Sequence, residues 1–171
     1  MGCATGIPRG LWEGGSMFRQ MRRFKQQLSQ EECEDILLSE RRGVLAVHGE
    51  DGYPYGVLVD YLYEQGKIYF HGAKSGHKID AIKADNRVSF TVFDQGVPVE
   101  GKVGPDVRSV IVFGRVSLLD TTPETIGIAR RLGEKYDPSG YVADEIKRTA
   151  ERIQLLELSI DHMSGKRVNE S

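Results

Sequence analysis

The chain has 171 residues, 39% of them hydrophobic and 28% charged, with a formal net charge of −2, which suits one domain able to bury a continuous core without disulfide or metal support. That balance lacks the basic excess favoured by phosphate-backbone binding, so nucleic acid is not an expected partner. No apolar run approaches the roughly 18 residues of a bilayer-spanning helix, and Cys3 and Cys33 show neither a disulfide framework nor zinc spacing, so a cytoplasmic protein with no membrane partner is expected.

Residues 1–16 are Gly-rich and aperiodic and read as a disordered or non-native tail, leaving residues 17–171 as a single domain. The basic stretch Arg19 to Lys25 has aromatic neighbours, and an arm packed across a partner subunit suits it as well as an RNA or membrane contact. Ser29 and Glu32 form a capping-box pattern ahead of Cys33, Ile36 and Leu37 at helical spacing, predicting a helix from about Gln30 to Glu40. Three runs follow, GVLAVHG, PYGVLVDYLYE and KIYFHG, separated by Asp51-Gly52 and Gln65-Gly66, a pattern that predicts hairpins and an antiparallel meander.

The period then changes to helical from Ser75 to Asp85, with Ile79 and Ile82 on one face. RVSFTVFD and VRSVIVFGRVSLL read as two further strands, and Gly114 within the second marks a bulge or barrel bend. Thr122 and Pro123 open a helix to about Lys135, a second helix is expected from about Val142 to Arg152, and IQLLELSID reads as the sixth strand. Consecutive strands with late helices favour an α+β fold on a closed antiparallel barrel.

Chemistry concentrates in Tyr69–Lys78, YFHGAKSGHK, where a strand ends in a Gly-rich turn containing Ser75 and a helix begins at His77 and Lys78. Free backbone N–H groups, the positive helix end and a lysine suit an anion. Taken alone, a glycine turn followed by lysine is also ordinary surface structure, and the spacing does not match a nucleoside-triphosphate loop. His71 ends a strand, where an imidazole either lines a pocket and moves a proton near neutral pH or simply packs. The four histidines, His48, His71, His77 and His162, lack ligand spacing for a metal. Ser75 and Ser109 lie outside any nucleophile elbow, and no dinucleotide fingerprint follows a strand.

Taken in order, GVLAVHGEDGYPYGVLVDYLYEQGKIYFHGAKSGHKIDAIKADNRVSF, RSVIVFGRV and DHMSGK resemble the pyridoxamine 5′-phosphate oxidase-like split-barrel flavoproteins, specifically the 5-nitroimidazole resistance (Nim-type) branch. The resemblance implies a homodimer of six-stranded split barrels with FMN in the cleft between subunits. Val57, Leu58, Val59 and Asp60 would then run along the flavin through their backbone, with Phe70, His71 and Gly72 beside it. By the same resemblance Lys78 would pair with the phosphate, assisted by His77 and Ser75, while Arg108 and Ser109 would approach from the other subunit. His162 and Lys166 match a C-terminal element near the site. The arginines that grip pyridoxal phosphate in the vitamin-forming oxidases have no clear counterparts, and Leu58-Val59-Asp60 stands where Nim-type relatives often carry a second proline.

The implied activity is that of an FMN-dependent oxidoreductase reducing a small acceptor such as a nitroaromatic, with His71 as the catalytic proton donor. A non-catalytic flavin- or haem-binding module of the same fold is the alternative, and deazaflavin serves neighbouring branches.

Overall fold

The computed structural model describes residues 18–101, 104–137, 146, 148–149 and 152–169. A short 3-10 turn, Phe24–Gln26, leads to helix α1, Gln30–Ser39, which opens on the expected capping box: the Ser29 hydroxyl accepts from the Glu32 N–H, and the Glu32 carboxylate accepts from the Ser29 N–H. The strands are β1 (Arg42–His48), β2 (Pro54–Asp60), β3 (Leu62–Glu64), β4 (Lys67–Ala73), β5 (Arg87–Phe93), β6 (Asp106–Leu119) and β7 (Ile153–Asn169). Helix α2, His77–Ala84, follows β4, and α3, Pro123–Tyr136, follows β6 with Thr122 as its cap.

All the ladders are antiparallel, and the order across the sheet is β2-β1-β5-β6-β7-β4-β3. The sheet curls until β2 comes back against β4, although no ladder joins them. This is the α+β fold that the strand pattern predicts, in the split-barrel form that the resemblance implies rather than a fully closed barrel.

Alternate residues face the interior, as the two-residue strand period requires. Leu45, Val47, Val88, Phe90, Val92, Val110, Val112, Leu156 and Leu158 fill the curl, and α1 and α2 close it with Ile36, Leu37, Ile79 and Ile82. On the other side of the sheet, α3 lays Ile128 and Leu132 on Tyr69 and Leu155. For that reason Ile68, Tyr69 and Phe70 are all buried, on both faces of β4.

Three features differ from the sequence reading. Among the described residues there are seven strands rather than six, because the predicted run PYGVLVDYLYE breaks at Tyr61. There the Tyr61 N–H donates to the Tyr136 hydroxyl at 2.7 Å and the Tyr61 carbonyl accepts from it at 2.9 Å, replacing ladder bonds. The last strand does not stop at Asp161 but continues to Asn169 along β6. The bend at Gly114 is present, but the extra residue belongs to β7: Phe113 pairs with His162 and Gly114 with Ile160, which leaves Asp161 unpaired. A side chain at 114 would meet Leu158 Cδ1 at 2.8 Å, so glycine allows the two strands to close there. The helix expected over Val142–Arg152 lies mostly outside the described residues, as do residues 1–16.

Candidate functional site

Strand β4 carries Phe70, His71 and Gly72 to one end of the curl, and Gly76, at φ 118, turns the chain into α2. A positive φ is a conformation glycine adopts without steric cost. Unlike α1 and α3, α2 has no side-chain cap. Its Ile79 and Asp80 N–H groups donate to the Gly76 carbonyl at 2.9 and 3.0 Å. The N–H groups of His77 and Lys78 take no acceptor among the described residues, so donors and the helix dipole face outward.

Lys78 is half-buried and reaches back over β4: a Cβ placed on Gly72 would lie 2.8 Å from Lys78 Nζ. Gly72 thereby forms the bed on which the ammonium rests. Among the described residues Lys78 makes no ion pair, and burial without a counter-charge lowers its pKa. His71 lies beside it at the rim, exposed to solvent on one side, yet the protein around it lowers its pKa, first by desolvation and next by the Lys78 charge, with Asp60 acting in the opposite direction. Asp60, His71 and Lys78 therefore share one electrostatic neighbourhood, drawn from β2, β4 and α2.

His77 is exposed and stacks on Tyr55, with ring centroids 4.2 Å apart and planes 3° from parallel. This stack ties the start of α2 to β2. Ser75 is exposed in the turn. Strand β2 is an edge strand paired only with β1, so its outer backbone groups have no ladder partner. Along it Val57 and Asp60 are half-buried, Leu58 is exposed and Val59 is buried. Asp60 accepts from Arg42 Nε at 2.9 Å.

One chain thus gathers Val57 to Asp60 with Phe70, His71, Gly72, Ser75, His77 and Lys78, but not Arg108 and Ser109. Arg108 pairs with Arg167 and His71 with Leu155, at opposite ends of β7. Those ends lie roughly 40 Å apart along an extended strand. Arg108 Nε donates to Asp94 Oδ2 at 2.8 Å and its N–H to Asp94 Oδ1 at 2.9 Å. Burial opposes ionisation of Asp94, yet these bonds hold its pKa below the usual carboxylate value. Ser109 lies opposite Phe93 and Lys166. His162 stacks on Phe18, with centroids at 4.6 Å, and although β7 neighbours β4, it lies well along β7 from Leu155, the residue paired with His71.

Sequence reasoning missed Tyr55, Arg42 and Tyr136. Tyr55 belongs to the quoted run, but nothing local marks a stacking partner 22 positions on. The sheet also exposes apolar residues on its outer face, among them Val44, Ile111 and Phe113, with Phe93 at 59% and Leu58 at 68% exposure.

The residues at the β4–α2 junction have the chemistry a phosphate monoester needs, namely unshared N–H donors and an uncompensated ammonium. Comparison with solved structures returns the same curled sheet. A candidate 5-nitroimidazole antibiotic resistance protein from Bacteroides thetaiotaomicron superposes with a TM-score of 0.73 at 18% identity, covering 82% of this chain and 86% of that one. A FAD-binding protein from Mesorhizobium loti gives 0.60 at 25% identity, covering 84% and 97%. A FAD- and haem-binding protein from Mycobacterium smegmatis gives 0.69 at 18% identity, covering 85% and 74%. A search of curated proteins found no match. Residues 29–167 match the sequence profile described as pyridoxamine 5′-phosphate oxidase. That match runs from the α1 cap almost to the end of β7, through every strand of the curl, and the chain belongs to the pyridoxamine 5′-phosphate oxidase family.

Proposed function

We propose that the protein binds FMN in the groove between β2, the end of β4 and the start of α2, and that it reduces a small acceptor such as a nitroaromatic. The observation carrying this reading is the half-buried Lys78 ammonium, resting on Gly72 beside two N–H groups without acceptors and with no carboxylate partner among the described residues. A buried cation of this kind is costly unless an anion completes it. A single lysine at one helix end matches one terminal phosphate, which favours FMN over FAD.

A bound flavin, once reduced, would supply the electrons or hydride for the acceptor. The chain's residues do the rest: Lys78, the α2 amides, Ser75 and His77 grip the phosphate, and the backbone of Val57 to Asp60 lines the ring. Phe70 and Gly72 form the wall beside His71, whose imidazole delivers a proton to the acceptor. Arg108 and Ser109 reach the groove only from a second copy, so the working unit is a homodimer, and the exposed apolar outer face of the sheet is the surface available for it. The names of the similar proteins, which include flavin binders and a candidate nitroimidazole-resistance protein, support the reading.

One observation favours a second reading, a flavin-holding module with little turnover. The lowered pKa of His71 disfavours the imidazolium form that would donate the proton. Two measurements decide between the readings. The purified protein should show a flavin spectrum rather than the intense Soret band of haem, and His71→Gln should lower nitroaromatic reduction per bound flavin by about tenfold or more. Full turnover by His71→Gln removes the proton-donor role, and no turnover by the parent with flavin bound favours the module.

A further inference from the structure

Tyr61 interrupts what would otherwise be one strand, and its backbone is completed from 75 residues away by the last residue of α3. The Tyr136 hydroxyl accepts from the Tyr61 N–H at 2.7 Å, bonds the Tyr61 carbonyl at 2.9 Å and also reaches the Arg41 carbonyl. Around it, Arg41 lays its guanidinium over the Tyr136 ring, 4.9 Å from the centroid, and donates from Nη2 to the Tyr136 carbonyl at 3.1 Å. The neighbouring Lys135 donates to the Glu40 carbonyl at 2.7 Å and sits 4.2 Å above the Tyr61 ring. One hydroxyl therefore joins the start of β1 to the end of β2. The next residue pair inward is Arg42 and Asp60, opposite each other in the ladder and ion-paired at 2.9 Å.

We infer that Tyr136 is a positioning residue for the candidate flavin groove: its hydroxyl holds the β2–β3 break so that Asp60 and the outer edge of β2 face His71. The inference rests on the reading of that groove as the flavin site. Without the hydroxyl, the Tyr61 N–H and carbonyl lose their partners in a half-buried place, which is costly. The chain then restores a continuous strand or withdraws, and either movement displaces Asp60. The two charged groups acting on His71 are Lys78 and Asp60, and only Asp60 is attached to the clamp.

The test uses Tyr136→Phe, which keeps the ring and its contact with Arg41. The His71 imidazole is titrated by NMR in the flavin-free protein, with and without Asp60→Asn. In the parent, Asp60→Asn should lower the His71 pKa, because the carboxylate raises it. In Tyr136→Phe the His71 pKa should already be lower, and Asp60→Asn should then shift it little. Equal Asp60→Asn shifts in both backgrounds overturn the inference. Lys135→Met loosens the same helix end while sparing the hydroxyl and should leave the His71 titration unmoved; a shift as large as that of Tyr136→Phe assigns the effect to helix docking and overturns it too.

In the parent alone, the Tyr61 amide should resist hydrogen exchange although it has no ladder partner, and exchange at the rate of an open loop overturns the inference without any variant. With flavin, Tyr136→Phe should bind FMN about tenfold more weakly. A parent that binds no FMN defeats the site reading, whereas a parent that binds and a variant that binds equally defeat only the positioning role.

Discussion

At the residue scale, His71 and Lys78 are two bases held together in a site that disfavours their charges. Desolvation dominates for both, and each cation would make the other's worse. Because the folded-state pKa of His71 lies below its ordinary value of about 6.5, the unfolded chain binds more protons as pH falls through that range, and His71 then subtracts stability. The contribution is fully retained above about pH 6.5 and is lost as pH drops toward the folded value. Urea unfolding at pH 5 and pH 7.5 should show a larger loss at pH 5 in the parent than in His71→Gln. Equal losses would mean that the imidazole titrates normally.

The residue chemistry of Tyr69–Lys78 was legible as an anion cradle but not distinguishable from surface structure until Lys78 was seen crossing Gly72. That crossing depends on the tertiary path of β4 into α2, which composition does not encode. Arg108 carried no local signal either, since its visible partner in the fold is Asp94 and its proposed role belongs to another copy.

At the scale of elements, the helix starts and the tight turn that short-range signals mark agree with the structure, while the helix expected over Val142–Arg152 lies mostly outside the described residues. The Ser29–Glu32 and Thr122–Pro123 helix starts rest on short-range hydrogen bonds that the sequence spells out. The Gln65-Gly66 hairpin, at φ 52 and 75, needs the two positive angles that this turn type demands. Ser29→Ala should lower the stability of the chain by about 1 kcal/mol, the ordinary worth of an N-cap, measured by thermal or urea unfolding. A neutral result would mean that α1 is held by the packing of Ile36 and Leu37 alone.

What could not be read locally was missed. The break at Tyr61 has its cause in Tyr136, and the eight residues of β7 beyond Asp161 are held by β6 and by the Gln27–Lys166 bridge rather than by their own strand propensity. At Gly114 the bend was legible because glycine marks close backbone approach, but not which strand would carry the extra residue.

At the scale of the whole molecule, strand order is set by long-range pairing. The meander β1–β2 and the hairpin β3–β4 end at opposite edges of the sheet, and β5, β6 and β7 lie between them. That order brings β2 back toward β4, so the candidate site draws on segments far apart in the chain. The same order carries Arg108 and Ser109 away from it. If two copies complete the groove, sedimentation equilibrium at micromolar concentration should return twice the chain mass, and Phe113→Asp on the exposed outer face should weaken the pairing by about tenfold or more. A monomer that still binds FMN tightly would remove Arg108 and Ser109 from the site.

On the proposed reading, the Lys78 ammonium meets a flavin phosphate. FMN affinity of the parent and of Lys78→Ala, measured by flavin fluorescence at one ionic strength, tests it most directly. Loss of one charge-assisted contact should weaken binding by about 1.5–3 kcal/mol, roughly ten- to hundredfold, with the fold intact. Unchanged FMN affinity in Lys78→Ala would contradict the account.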